Sequence, residues 1–178
     1  MAAAVAFPVI IAIVSSLFAL SYLITILLGL PAILNLPLAV SLAGVPLVLV
    51  GLAWMVWTFR NRNPAEVILS TYITLTKLFG KALVSDRAGR TEPLVVSGPQ
   101  KYTRNPLYFG IVVMMFGWAL YGEYTFVFVA TIVLLIWFGL ILIPFEEREL
   151  HVLFGEQWGR YAQETPMLIP FTKRKKVD

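Results

Sequence analysis

The chain has no cysteine and a single histidine, His151. Without cysteine there is no disulfide, thiolate metal site or cysteine nucleophile. With one imidazole, a histidine-based metal centre or a Ser-His-Asp triad is all but excluded, and no metal is expected. Charge is also scarce. Of 178 residues 13% are charged and 59% hydrophobic, whereas a soluble domain carries roughly 25% charged residues. The composition is that of one membrane-embedded domain covering residues 1–178. The C-terminus carries no prenylation box. The first apolar run lacks a basic leader and is too long for a signal-peptide core, so it reads as a retained helix.

What is present is a set of long apolar runs. The first extends from about Phe7 to Leu30 without a charge, enough to cross ~30 Å of hydrocarbon. After the uncharged turn Pro31–Pro37, a second runs from Leu38 to Phe59. Gly44 and Gly51 share a face on it, as small residues do where helices approach closely. It ends in Trp54, Trp57 and Arg60-Asn61-Arg62-Asn63, an aromatic belt followed by a basic stop. Residues 64–84 mix an apolar stripe (Val67, Ile68, Tyr72, Leu75, Leu78) with Glu66, Thr74, Lys77 and Lys81. They predict an amphipathic interfacial helix rather than a full span. Asn63 is its N-cap and Pro64 its first residue.

Residues 85–92 read as a polar loop and 93–97 as a short extended stretch. Spans over Pro106–Tyr121 and Thr125–Ile143, joined by the turn Tyr121–Tyr124, form a helical hairpin. Pro144 is expected to break it. An amphipathic C-terminal helix then covers about Phe145–Ala162, before a basic tail, Lys173–Lys176. The predicted fold is therefore all-α and integral to the membrane: two N-terminal spans (1–59), an interfacial helix and loop (60–105), a hairpin (106–143) and a C-terminal helix with its tail (144–178).

All 14 Lys and Arg residues lie in Arg60–Arg104 or Arg148–Lys176, and none in either short turn. By the positive-inside rule, four spans with both termini cytoplasmic follow. The formal charge of +4 is then an orientation signal and not a nucleic-acid footprint. The tail suits anionic headgroups of membrane lipids.

Every candidate catalytic group falls on that face. The stretch Gly98–Gly110 holds Gln100, Tyr102, Arg104, Asn105 and Tyr108, and a second polar cluster spans Glu146–Glu149. Arg104 suits a bidentate clamp on carboxylate or phosphate; taken alone, a snorkelling anchor is the commoner role. Asn105-Pro106 has the form of an N-cap and first helical residue. Tyr102 and Tyr108 fit an interfacial belt equally well. Glu146 and Glu147 suit the first turn of a helix. His151, four residues after Glu147, pairs with it on a solvated helix face in the simplest reading.

The combination is more specific than its parts. Gly98-Pro99-x-x-Tyr102-x-Arg104-Asn105-Pro106-x-Tyr108-x-Gly110, an apolar hairpin, then Glu146-Glu147-x-x-Leu150-x-x-x-Phe154-Gly155-x-x-Trp158-x-x-Tyr161 resembles the isoprenylcysteine carboxyl methyltransferase family. The wider group includes membrane-embedded phospholipid N-methyltransferases. The resemblance covers the C-terminal two-fifths of the chain. It implies methyl transfer from S-adenosylmethionine at the cytoplasmic face, to a prenylcysteine carboxylate, a phospholipid amine or a small thiol. Gln100, Tyr102, Arg104, Asn105 and Tyr108 would line the cofactor pocket from one side and Glu146 and Glu147 from the other, with Arg104 and Glu147 in the catalytic roles. Many members carry His where this chain has Asn105, which cannot act as a base. Two rivals share the motifs. One is an NADPH-dependent membrane reductase of the sterol reductase type, usually a larger protein. The other is a non-enzymatic lipid-binding or assembly protein. Neither acceptor nor oligomeric state follows from the sequence.

Overall fold

A computed structural model describes residues 2–80 and 94–172. The polar loop expected at 85–92 and the basic tail from Lys173 lie outside them. The described residues are helical. The elements are α1 (Ala2–Leu27), α2 (Leu38–Asn61), α3 (Pro64–Gly80), a 3₁₀ turn (Gly98–Lys101), α4 (Pro106–Gly122), α5 (Thr125–Trp137), a π-helical turn (Phe138–Leu142), α6 (Ile143–Phe154) and α7 (Glu156–Glu164). Among the described residues there is no strand, only an isolated bridge between Ile33 and Tyr124.

Asn63 caps α3 as its sequence predicts: its Oδ1 accepts from the Ala65 N–H at 3.0 Å. That contact satisfies one of the donors a helix start leaves open. Asn105 stands at the N-cap of α4, but its side chain makes no capping bond. It reaches instead to the Met167 carbonyl, 2.8 Å away.

Pro144 does not break the hairpin. Residues Thr125–Phe154 run on as one apolar helical rod of 30 residues. Pro144 has no N–H to give and normally kinks a helix interior. The turn before it absorbs the defect, since the Ile143 N–H donates to the Phe138 carbonyl five residues back, a π-type bond. The break falls at Gly155, whose φ of 50° is open to glycine at little cost. The expected Phe145–Ala162 helix is therefore two pieces: α6 continues α5, and α7 turns away after Gly155. Glu146 and Glu147 sit mid-rod, not at a helix start, so the helix-dipole account of these acids does not hold.

The most extensive interface joins α2 and α4. Gly44 faces Gly117 and Gly51 faces Gly110. A methyl group on Gly51 would come within 2.6 Å of the Gly110 carbonyl oxygen, and one on Gly117 within 2.7 Å of the Gly44 carbonyl oxygen. Two glycine pairs, each seven residues apart on both helices, bring the backbones into contact. The opposite rim is tied by Glu123, whose carboxylate accepts from the Ser41 hydroxyl at 2.7 Å and the Leu36 N–H at 3.2 Å. α5 holds α1 through Phe126, which meets Phe18 and Tyr22 edge-on.

Among the described residues two helices, Leu38–Asn61 and Thr125–Phe154, are long and apolar enough to cross a membrane. Large apolar side chains stand exposed along α1, α2, α4 and α5, among them Leu49, Trp118, Ile136 and Leu140. So much apolar surface is a place for lipid rather than water, and the chain is a membrane protein.

Candidate functional site

The two polar clusters meet. The Arg104 side chain, 3% exposed, places Nη2 3.1 Å from Glu147 Oε1, and its guanidinium lies 5.8 Å from the Trp158 ring centroid. The Tyr108 hydroxyl donates to Glu146 Oε1 at 2.9 Å, while its ring stacks at 4.4 Å on Phe138. Glu146 and Glu147 thus serve separate partners, as neighbours about 100° apart around a helix must.

The loop before α4 is held by the C-terminal segment. The Arg104 N–H donates to the Pro166 carbonyl at 2.9 Å. The Thr103 hydroxyl, fully buried, donates to the Leu168 carbonyl at 2.8 Å. The Tyr161 hydroxyl donates to the Gln100 carbonyl at 2.8 Å. Gly98 starts this loop at φ 63°, and a methyl group there would meet the Asn61 amide, so the turn requires glycine. Burial raises the Tyr161 phenol well above its usual range; the Arg104 charge lowers it and the Glu147 charge raises it further. Tyr161 therefore acts as a neutral donor.

These contacts border a partly open cavity of about 120 Å³. Of the residues singled out from sequence, Gln100, Arg104, Asn105, Tyr108 and Glu146 line it. Gln100 is buried, and its Oε1 has no hydrogen-bond partner among the described residues. Glu147 lies off the lining and borders a more open groove with Arg104, Arg148 and His151. Tyr102 is outside the cavity. It is partly exposed and packs on Trp57 and Phe171 at 5.8 and 5.1 Å.

The cavity also takes residues that sequence reasoning assigned elsewhere. Arg62 and Thr58 come from the end of α2, Val67 and Ser70 from α3, and Trp158 and Tyr161 from α7. The last two stood in the pattern that carries the family resemblance. Nothing local marks Val67 or Ser70, because only the folding of α3 back onto α6 brings them in. Among the described residues no group of three or more His, Asp or Glu side chains is placed to hold a metal ion.

A sequence profile of the phospholipid methyltransferase family matches residues 39–157, well over half of the chain. Among characterised relatives, methanethiol S-methyltransferase 1 of Bradyrhizobium diazoefficiens is 33% identical over 73 residues, 41% of this chain and 25% of that protein. Methanethiol S-methyltransferase of Crocosphaera subtropica is 35% identical over 77 residues, 42% of this chain and 28% of that protein. The aligned part thus spans about a quarter of the length of either relative. No solved structure matches. With the profile running from α2 through the cavity-lining ends of α4 and α6, the chain belongs to the phospholipid methyltransferase family.

Proposed function

We propose that the chain transfers a methyl group from S-adenosylmethionine to a small or lipophilic acceptor at the cytoplasmic face of a membrane. The observation that carries this reading is the convergence of Gln100, Arg104, Tyr108 and Glu146 on one cavity in a chain of this family. The donor set fits the cofactor's polar ends. The Gln100 Oε1, unpartnered among the described residues, offers an acceptor to an ammonium or hydroxyl. Glu146 adds negative charge, and Arg62 and Arg104 complement a carboxylate. The cavity volume of about 120 Å³ is below the ~300 Å³ at which whole-ligand pockets begin. It suits the amino-acid end of such a molecule.

When bound, S-adenosylmethionine supplies an electrophilic methyl group for in-line displacement. The residues present bind and orient. Arg104 is fixed by Glu147 and Trp158, and Tyr108 holds Glu146 in one rotamer. Both then spend little entropy on docking a ligand, and positioning of this kind supplies much of the acceleration in such reactions.

A small thiol is the acceptor the relatives' names favour; a phospholipid amine is the one the family's name favours. Four spans with both termini cytoplasmic fit the cavity's position. Glu146 stands 21 residues after Thr125 on one rod, roughly 31 Å along its axis, about one hydrocarbon thickness. The test is purified protein in lipid nanodiscs with methyl-labelled S-adenosylmethionine, offered methanethiol or phosphatidylethanolamine in parallel. Labelled dimethyl sulfide or labelled lipid supports the reading. Absence of both products, together with calorimetric silence toward the donor, overturns it.

A further inference from the structure

The ion pair Lys77–Glu149 takes no part in the site described so far. Lys77 Nζ lies 2.9 Å from Glu149 Oε1, with side chains 13% and 2% exposed. Two charges withdrawn this far from water add little net stability, because desolvation offsets their attraction. Their value lies in what they hold together. Glu149 is three residues after Glu146, so both acids leave α6 on one face. Glu146 takes the α4 side through Tyr108, and Glu149 takes the α3 side through Lys77.

On α3, Ser70, Thr74 and Lys77 recur at helical spacing on one face, with Val67 at its edge. Thr74 and Val67 are buried, and Val67 and Ser70 line the cavity. Lys77 sits two turns beyond Ser70, roughly 10 Å along the axis. Leu78 beside it packs on the buried cluster of Tyr108, Phe138, Leu142 and Ile143. The polar side of α3, expected to face water, is partly turned inward onto α6.

We propose that Lys77–Glu149 is a positioning pair: it docks α3 on α6 so that Val67 and Ser70 close one wall of the cavity, and it thereby sets affinity for the methyl donor. The second clause rests on the function proposed above. The pair touches neither donor nor acceptor and acts through the wall it fixes. Apolar packing, of α3 on α1 and of Leu78 on the buried cluster, allows α3 to slide or roll, whereas a buried charge pair has one register in which the two charges meet.

The absence of cysteine makes the test direct. Ser70→Cys is introduced into the full chain in nanodiscs as its one thiol, and its labelling by a maleimide is timed. In that background Lys77→Met/Glu149→Leu removes both charges, and Lys77→Glu/Glu149→Lys exchanges them. The apolar double variant is expected to label at least tenfold faster and the exchanged pair to return toward the parent rate. Equal labelling in parent and apolar variant overturns the proposal. So does an exchanged pair that labels at least tenfold faster than the parent, an arm that stands if the apolar protein does not fold.

Calorimetry with S-adenosylmethionine, in chains that keep Ser70, reads the second clause. The apolar variant is expected to bind at least tenfold more weakly, with KM for the donor raised and kcat within about threefold. Faster labelling with unchanged donor affinity overturns the link between wall and donor. If the parent itself does not bind the donor, the function proposed above fails, and the labelling result alone decides the role of the pair.

Discussion

Arg104 and Glu147 form a 3.1 Å ion pair in which the arginine is almost wholly buried. The pair stands between the cavity and the more open groove along α6 and α7, and Arg104 borders both. It is not a snorkelling anchor, since its guanidinium is withdrawn from the interface and lies over Trp158. Arg104→Ala and Glu147→Gln each leave one half of a desolvated pair. Removing one partner of a buried pair costs roughly 3–5 kcal/mol, less here because Glu147 is 21% exposed. Both variants should stay monodisperse in detergent and lose at least tenfold in affinity for S-adenosylmethionine by calorimetry. Unchanged affinity in both would remove Arg104 from the site.

Tyr108→Phe removes the hydroxyl that binds Glu146. The ring keeps its stack on Phe138, and the contact to Glu146 is lost. A bond to a charged group contributes about 1.5–3 kcal/mol. The thermal midpoint should fall by several degrees, and donor binding should weaken with it as Glu146 gains rotamers. A midpoint equal to the parent's would show that this bond holds nothing in place.

The glycine pairs predict a graded series. Gly51→Ala and Gly117→Ala drive a methyl group into opposing backbone at 2.6 Å, where side chains cannot yield. Overpacking of this kind costs about 1–3 kcal/mol, occasionally more. Gly139→Ala, with nothing within 4 Å of the added carbon, should be neutral or slightly stabilising, since alanine favours helix. Size-exclusion profiles after mild heating would rank the three. Equal behaviour would contradict the close α2–α4 approach.

Tyr161 predicts a pH dependence. Burial, partly offset by Arg104, raises its pKa in the folded chain, so above pH ~10 the unfolded chain loses a proton that the folded chain keeps. The stability from Tyr161 is complete below pH ~10 and declines as pH rises from there toward the folded value. Tyr161→Phe should flatten that decline while costing stability at neutral pH through the lost bond to Gln100. Parallel alkaline melting curves for both chains would contradict it.

The sites where sequence reading and structure part company have one physical cause. Pro144 was read locally as a breaker, but a π-type bond from the residue before it lets the rod continue. Asn105 has the sequence of a cap, yet the Met167 carbonyl, 62 residues away, takes its side chain. Tyr102, inside the recognised motif, stacks with Trp57 and Phe171 outside the cavity. Each outcome depends on a partner distant in sequence, which no local pattern contains.

What the sequence determined by itself is the helical membrane class, from apolar runs and missing charge, and the capping of α3 by Asn63, from spacing within a few residues. It also marked the glycine face of α2 and the two polar clusters. Only the tertiary structure decided that Gly44 and Gly51 meet Gly117 and Gly110, that Glu146 and Glu147 divide between Tyr108 and Arg104, and that α3 supplies a wall of the cavity. Helical propensity and hydropathy act over a few turns and can be read along the chain. The partner of a buried charge or a bare glycine face is chosen by how whole helices pack, and that choice exists only once they have met.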